Sequence, residues 1–555
     1  MSLLEVLGIG LIIPYVGLIM DPELINSEKY SFLVKLFSLI EFQNILIPMG
    51  LVLISVFIIK GLGIIFINWI ILKFCYSKSV SLKSILMKSY QNMPYVNYIE
   101  RNSAEYIYTM SLVDEFSVGT LSSILRMIVE FFVGIAIFLL LFYQSPLALF
   151  LISLILVTSI LFYDIFFRTK VKNLGRMGNI HNVSLIKEVT EGITGLKEIR
   201  ILGKNNYFFK EVRSSAYSFS KVAHKYDMIS ILPRYLLEVL MIFFIVALVL
   251  YYVLLGREAN ELLPILAMIS IATVRLLPSA NQFILGMTKL RHSRHAISIL
   301  YQDIKLTEKL QSQNKISMKS KSSEFKKIEL KNISFKYATR SQKAISNLSM
   351  KITAGQSIGI IGSSGSGKST LLDVLLGLLD IDDGQIIYNE REANSSFLTE
   401  WRSNVAYLPQ KVFIIDDSVK NNIALGEFSS EIDDKKLEKA IKKSQLDELV
   451  KELPKGIDTI LGDKGIQLSG GQLQRIALAR AFYYERDVLI MDEATSSLDN
   501  ETEKEIVNEI KKLKGKKTLI VVAHRMSTLI HCDYIYKLED GVIVEKGSYH
   551  EVLKK

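Results

Sequence analysis

Residues 362–369 read Gly362-Ser363-Ser364-Gly365-Ser366-Gly367-Lys368-Ser369, and the fold of the second half of the chain turns on where that stretch sits. It follows an apolar run at 357–361 and opens a helical pattern at 370–379. A strand, a glycine-rich turn and a helix in that order make a phosphate-binding loop. The glycines let successive backbone N–H groups curl around phosphate oxygens, and the helix N-terminus adds positive potential. Lys368 has the reach for β- and γ-phosphates, and Ser369 the hydroxyl for Mg²⁺.

Downstream, Val488-Leu489-Ile490-Met491 reads as a buried strand ending in Asp492-Glu493. A carboxylate at a strand's end holds a hydrated Mg²⁺, and the next one polarises an attacking water. Alone, the pair would be an acidic strand terminus; beside a phosphate loop it points to nucleotide hydrolysis. Short β-rich runs at 328–335, 357–361, 488–491 and 518–522 alternate with helical patterns. That alternation predicts an α/β domain with a largely parallel core sheet. Ahead of it the chain turns polar, and 311–323 is rich in Ser, Lys and Gln, the composition of a linker. The domains are therefore set at 1–290, a linker at 291–327, and 328–555.

The first half differs in kind. Apolar runs fall at about 3–20, 44–72, 119–143, 147–167, 229–255 and 262–285, each able to cross a hydrocarbon core that needs about 20 helical residues. Lys and Arg crowd the segments 73–117 and 168–227, while the opposite loops hold only Lys29, Lys35 and Arg257. By the positive-inside rule, six spans with both ends in the cytosol fit. Both basic segments keep helical periodicity without Gly/Pro clusters, so they read as helices running on beyond the bilayer. Tyr30, Leu33, Phe37 and Ile40 recur at helical spacing; they make either a short helix on the outer interface or part of a loop. With no Lys or Arg ahead of the first run, a cleaved signal peptide is not expected.

Composition sets the outer limits. Half of the 555 residues are hydrophobic and 22% charged, with mean hydropathy +0.29, which excludes a disordered or fibrous chain. Cys75 and Cys532, far apart, make neither a disulfide framework nor a zinc cluster. The net charge of +10 is assigned to Lys-rich loops beside membrane spans rather than to a nucleic-acid surface.

With these motifs in hand, the chain resembles the ATP-binding-cassette family. Leu468-Ser469-Gly470-Gly471-Gln472 is similar to that family's signature loop, and Gln410 in Tyr407-Leu408-Pro409-Gln410 to its glutamine loop. Ser497-Leu498-Asp499 resembles the D-loop, and His524 in Ala523-His524-Arg525 the switch histidine. Tyr337, in Ile333-Ser334-Phe335-Lys336-Tyr337, sits where the family places an aromatic ring against adenine. The resemblance implies a six-span α-helical transmembrane domain followed by an α/β P-loop nucleotide-binding domain, as in an exporter-type half-transporter. It implies ATP and Mg²⁺, with Glu493, His524, Gln410 and Lys368 acting in hydrolysis. ATP would be held by Tyr337, the loop from Gly362 to Ser369, Thr370, Gln410, Ser469 to Gln472, and Asp499. Ser369, Gln410 and Asp492 would hold the metal, partly through water. Two cassettes would sandwich two ATP molecules, the P-loop of one facing the Ser469 loop of the other, so the chain would pair, most simply with itself. Crossing segments near 94–102 and 202–212 would couple to the cassettes. The absence of an amphipathic lead-in before the first span departs from the family's usual pattern.

Substrate rests on weaker marks. Arg275-Leu276-Leu277-Pro278-Ser279-Ala280-Asn281 and Leu232-Pro233-Arg234 are similar to tracts in bacterial flippases of polyprenyl-diphosphate-linked oligosaccharides, such as those serving protein N-glycosylation. This implies translocation of such a lipid to the outer leaflet of the bacterial inner membrane, with the cassette in the cytoplasm. The alternatives are a lipid A or phospholipid flippase, and a peptide or drug exporter. A charge at the bilayer centre costs about 2.5–3.5 kcal/mol on insertion scales, so it faces a bundle interior or a wet cavity. Lys60, Arg126, Arg234 and Arg275 lie inside or at the edge of the apolar spans. Glu130 and Glu238 stand four residues after Arg126 and Arg234 and offer internal ion pairs. Lys60 and Arg275 lack an acid within a turn and either snorkel or face a cavity. Lys60, Arg234 and Arg275 are the expected path of an anionic, lipid-linked diphosphate.

Overall fold

The computed structural model describes residues 15, 46–144, 146–254, 259–313, 324–338, 340–393, 397–462, 468–493, 500–522 and 529–553. The expected first span and the stretch 30–40 lie outside them. The chain divides into two units, Met1–Met93 with Glu100–Lys309, and Pro94–Ile99 with Leu310–Lys555.

In the first unit the apolar runs continue as helices far longer than a bilayer needs. α1 spans Leu46–Gln91, about 70 Å at 1.5 Å per residue against a hydrocarbon core of about 30 Å. α2 (Ser103–Asp114) passes through a π-helical turn, Glu115–Leu121, into α3 (Ser122–Gln144). α4 (Pro146–Thr194) and α5 (Asn205–Leu254) have 49 and 50 residues. α6 runs Ala259–His292 and α7 Arg294–Gln313. Four helical stretches are long and apolar enough to cross a membrane, beginning at Leu46, Ser103, Ile152 and Asn205. Of the six expected spans the described residues thus account for four by this measure. A continuous helix, α6, also occupies the range of the sixth.

Each long helix buries one stripe and leaves the rest apolar and exposed. Val133, Ile137 and Leu141 on α3, Ile152, Leu156 and Tyr163 on α4, Leu237 and Met241 on α5, and Leu276 and Ile284 on α6 form one core. Their spacings of four, seven or eight are those of a single helix face. Leu139, Phe142, Leu154, Leu161 and Ile165 point outward and are exposed, as side chains bathed in lipid would be. Beyond the apolar stretches, polar bonds take over. Asp303 on α7 accepts from Arg101 Nη1 at 2.7 Å and from the Tyr90 hydroxyl at 2.5 Å. Asp114 accepts from Ser79 at 2.6 Å and pairs with Lys83 at 2.7 Å, and Arg291 pairs with Asp164.

The second unit holds two sheets. Strands β1 (Lys327–Phe335), β2 (Ile345–Thr353), β4 (Asp383–Tyr388) and β5 (Arg391–Glu392) form an antiparallel sheet in the order β2-β1-β4-β5. The larger sheet has the order β10-β9-β3-β8-β7-β6, built from β3 (Ser357–Gly362), β6 (Val405–Leu408), β7 (Val488–Asp492), β8 (Thr518–Val522), β9 (Tyr534–Glu539) and β10 (Val542–Gly547). Its pairings are parallel except β9 with β10. The parallel core is as expected; the separate antiparallel sheet is an addition to it. Both faces of the parallel sheet are buried, which demands near-continuous apolar strands. Val488, Ile490, Ile520 and Val522 enter one core with α8 (Lys368–Leu375) and the antiparallel sheet. Leu489, Met491, Leu519 and Val521 enter the other with α9 (Gly470–Tyr483) and α10 (Asn500–Leu513). Tyr95 and Val96 of the segment Pro94–Ile99 pack on the first core. The expected coupling segment 94–102 is therefore divided at Ile99, while 202–212 lies wholly in the first unit.

One close approach in the first unit is testable. A methyl at Gly175 on α4 would stand 2.0 Å from the His292 carbonyl oxygen at the end of α6, whereas at Gly178 it would meet only Val222, at 3.7 Å. Gly175→Ala should lower the Tm of the detergent-solubilised protein, since overpacking costs about 1–3 kcal/mol. Gly178→Ala should be neutral or stabilising, because Ala exceeds Gly in a helix by about 1 kcal/mol. Equal shifts for the two variants would show that the α4–α6 contact is not tight.

Candidate functional site

Loops at the carboxyl ends of parallel strands gather on one edge of the sheet, which is where open α/β sheets bind ligands. Here the loop after β3 carries residues 363–367, the end of β7 carries Asp492 and Glu493, and Gln410 follows β6. Because β3, β8, β7 and β6 are neighbours in that order, the three loops converge without any long connection.

The phosphate loop is shaped by its contacts. Gly367 has φ +98° and is the N-cap of α8, and a side chain there would collide with the Ala344 carbonyl at 2.7 Å; only glycine takes this conformation without strain. The loop is pinned by Ser366 N–H donating to Ser363 O and Gly541 N–H donating to Ser366 O. The Lys368 side chain, 8% exposed, returns over the loop and donates to the carbonyls of Gly362 and Ser363, both at 2.8 Å. Ser369 and Thr370 occupy the first turn of α8, where backbone N–H groups and the helix dipole favour an anion. The Tyr337 hydroxyl meets Thr370 Oγ1 at 3.3 Å, and its ring packs edge-on to Phe335 with centroids 4.9 Å apart. Tyr337 thus stands beside the phosphate loop.

The acidic side is equally defined. Gln410 Nε2 donates to Glu493 Oε2 at 2.7 Å, which leaves the amide oxygen of Gln410 as an acceptor. Glu493 has φ +49° and donates its N–H to Val522 O on β8 at 2.9 Å. A non-glycine residue there is uncommon, and such strain gathers at functional positions. The Tyr407 hydroxyl bonds Asp492 Oδ2 at 3.4 Å. Burial, reinforced by the neighbouring Glu493 charge, holds the Asp492 carboxyl above its ordinary range, with Tyr407 and Lys368 opposing. Such a carboxylate gains from a cation. A hydroxyl, one or two carboxylates and an amide oxygen are the hard donors that Mg²⁺ takes along with phosphate oxygens and water. Among the described residues no group of three or more His, Cys, Asp or Glu forms a metal cage.

Asp373, one turn into α8, was not singled out from the sequence. It interrupts the apolar run Leu371-Leu372-Asp373-Val374-Leu375, and that interruption is the signal that could have found it. Burial, with the Asp492 charge adding to it, pushes its carboxyl up to about 6.

Ser469 caps α9 through a capping box, its hydroxyl accepting from Gln472 N–H at 3.2 Å while Gln472 Oε1 accepts from Ser469 N–H at 2.8 Å. Ser469 and Gly470 are exposed, with Gly471 beside them. The flanking Leu468 and Leu473 pack on a helical core around Val419, Ile423, Leu437 and Ile476, not on the core beneath the phosphate loop. Asp499 and His524 lie outside the described residues.

In the first unit, one cavity of about 560 Å³ gathers both tracts singled out in the sequence. Arg234 and Glu238 on α5 line it opposite Thr273, Leu277, Pro278 and Asn281 on α6. Arg234 is paired there, Nε to Glu238 Oε1 at 3.1 Å, so the internal ion pair is formed by a residue that also lines the cavity. Glu130 accepts from the Ser279 hydroxyl at 2.6 Å. Lys60 is 4% exposed, its ammonium 5.2 Å from the Phe57 ring, and it does not line this cavity. Arg275 is on α6, but its side chain lies outside those described.

Comparison with known proteins bears on both units. Residues 345–496 match the ABC transporter family model, so the second unit carries an ABC transporter ATPase domain. The ATP-dependent lipid A-core flippase of Photobacterium profundum is 41% identical over 229 residues, 41% of this chain and 39% of that protein. The ATP-dependent lipid A-core flippase of Escherichia coli (strain K12) is 38% identical over 227 residues, with the same shares. The match thus spans well under half the length of these relatives. A solved bacterial Atm1-family ABC exporter with ATP bound superposes with TM-score 0.78 at 20% identity, covering 100% of this chain and 95% of that one. At that identity the likeness is one of fold. The relatives named are lipid A-core flippases, not glycosylation oligosaccharide flippases.

Asp373 yields a pH signature. A raised carboxyl binds more protons in the folded than in the unfolded state between 3.8 and about 6, so stability falls as pH rises through that window and stays low above it. Asp373→Asn removes the penalty. In nucleotide-free protein, its Tm advantage over the parent should widen from about pH 4 to about pH 7. A pH-independent difference would contradict the assignment.

Proposed function

We propose that this chain is half of an ATP-driven exporter that flips a phosphate-bearing lipid, of the lipid A or phospholipid kind, from the cytoplasmic to the outer leaflet of a bacterial inner membrane. The observation that carries the ATPase part is the 2.7 Å bond between Gln410 and Glu493 at adjoining strand ends, beside the phosphate loop. The lipid part is supported by the flippase relatives.

In this reading Lys368 exchanges the carbonyls of Gly362 and Ser363 for β- and γ-phosphate oxygens, and loop N–H groups hold the rest. Glu493, oriented by Gln410, positions the attacking water and accepts its proton. Tyr337 stacks on adenine, and the family resemblance alone assigns Asp499 and His524 to ATP. Ser369 and Asp492, with help from Gln410, would hold Mg²⁺, which would supply charge neutralisation to the phosphates. Phosphoryl transfer depends on such positioning and charge stabilisation. The Ser469 turn serves the ATP of a second copy, which its exposure and separate core favour. Ile201 and Leu202, 75% and 69% exposed at the turn between α4 and α5, suit contact with that copy, since clustered exposed apolar side chains mark interaction surfaces.

Glu493→Gln should keep ATP binding while lowering turnover by about 10²–10⁴-fold, the usual worth of a positioned general base. Near-parental phosphate release would remove Glu493 from the mechanism. In proteoliposomes, lipid A-core should stimulate hydrolysis and cross the bilayer with ATP; stimulation by a polyprenyl-diphosphate glycan alone would restore the oligosaccharide reading.

Pairing has its own test. With Cys75 and Cys532 replaced, single cysteines at Ser364 and Ser469 on separate chains should form an ATP-dependent disulfide between chains. Failure to cross-link while hydrolysis proceeds would rule out the composite site.

A further inference from the structure

A second cavity of the first unit, about 750 Å³, lies between α4 and α5. Lys170 and His181 reach it from α4, and Lys221, His224 and Lys225 from α5. No aspartate or glutamate is among its lining residues. The acids nearest in sequence are directed elsewhere or lie outside the lining: Glu188 accepts the Ser215 hydroxyl at 2.8 Å, and Asp227 is not part of the wall. No ion pair involves Lys170, Lys221 or Lys225 among the described residues; Lys170 rests its ammonium 5.6 Å from the Phe167 ring.

Its position is as telling as its charge. The apolar span on α4 ends at about 167 and the one on α5 begins at about 229. Lys170, Lys225 and Met228 therefore lie within a turn or so of the membrane boundary, on its Lys/Arg-rich side. Orientation by basic residues requires only that they lie on that side, not that three converge from two helices on one hollow without a counter-charge. The wall is also half apolar, with Leu174, Met177, Val222 and Met228 beside the lysines. Inorganic phosphate would leave those side chains wet. An amphiphile would cover them with its glycerol and first methylenes while its phosphate met the ammonium groups.

We propose that this cavity binds the phosphate-bearing headgroup of an anionic lipid in the cytosolic leaflet. It does so whichever lipid is transported, and it is separate from the Arg234–Glu238 cavity, whose charges offset each other.

The test uses the full chain in nanodiscs of phosphatidylcholine doped with phosphatidylglycerol, reading retained lipid by native mass spectrometry after release into detergent. The parent should retain phosphatidylglycerol selectively. Replacing Lys170, Lys221 and Lys225 with Gln should weaken retention on the order of a hundredfold, about fivefold per lysine near an anionic headgroup. Replacing all three with Arg should preserve it. Equal retention by the Gln variant overturns the proposal. So does displacement by inorganic phosphate as effective as that by short-chain phosphatidylglycerol, which would mark a site for a soluble anion. If the Gln variant does not fold, the parent decides the matter with a photoreactive phosphatidylglycerol. Labelling of peptides spanning 170–181 or 218–229 is expected, and labelling confined to other segments would refute the site.

Discussion

The parallel sheet of the second unit has to be dry on both faces, and most of what is chemically interesting follows from that. Its strands have no polar face to spare, so Val488, Ile490, Ile520 and Val522 fill one core while Leu489, Met491, Leu519 and Val521 fill the other. Polar side chains are thereby confined to the strand ends. Since the strands run the same way, their carboxyl ends share an edge, and Asp492, Glu493, Gln410 and the 363–367 loop meet there. The local costs of the edge, a glutamate at φ +49° and an aspartate held above its ordinary range, are tolerable because those two cores hold the strands rigid.

The first unit solves a different problem. Helices of up to 50 residues need two kinds of packing, because the surroundings change along their length. Within the apolar part the stripe on each helix interlocks with its neighbours, while exposed Leu, Ile and Phe remain outside. Past it, where water competes for every polar group, buried ion pairs and hydroxyl bonds such as Arg101–Asp303–Tyr90 hold the helices in register. Gly175 marks where α4 and α6 come so close that not even a methyl fits.

Much of this was legible in the residues, for reasons that can be stated. The phosphate loop was read from a strand that appears within a residue of its expected bounds and a helix that starts two residues early and ends four residues short, at Leu375, because glycine spacing and apolar runs are local signals. The long cytosolic-side extensions followed from helical periodicity without breakers. The antiparallel sheet was not foreseen: β1 joins β4 across some fifty residues, and pairing at that distance leaves no local mark. Asp373 was hidden for a similar reason, since a single acid in an apolar run acquires meaning only once Asp492 is brought near it. Arg234 showed the opposite difficulty. Its spacing to Glu238 offered an ion pair, and the geometry adds what spacing does not carry, that the pair formed at 3.1 Å also stands on a cavity wall.

Substrate identity is the least legible feature because the chemistry that fixes it is spread thinly. ATP needs one loop in one conformation, so its motif is short and recurs; a lipid headgroup needs only charge at the right depth, which many arrangements of Lys and Arg supply. What the structure does show is where charge is balanced and where it is not. In the cavity between α5 and α6, Arg234 is answered by Glu238, and the wall is otherwise uncharged. Between α4 and α5, three lysines share a hollow with no acid in its lining. Bringing three like charges together without a counter-ion is unfavourable unless an anion completes the set. At the basic boundary of a bilayer, the anion present at highest local concentration is the lipid phosphate itself. The same unit thus holds a cavity whose charges offset each other and, apart from it, a cationic one at the basic edge of the span, where a lipid phosphate supplies the missing counter-charge.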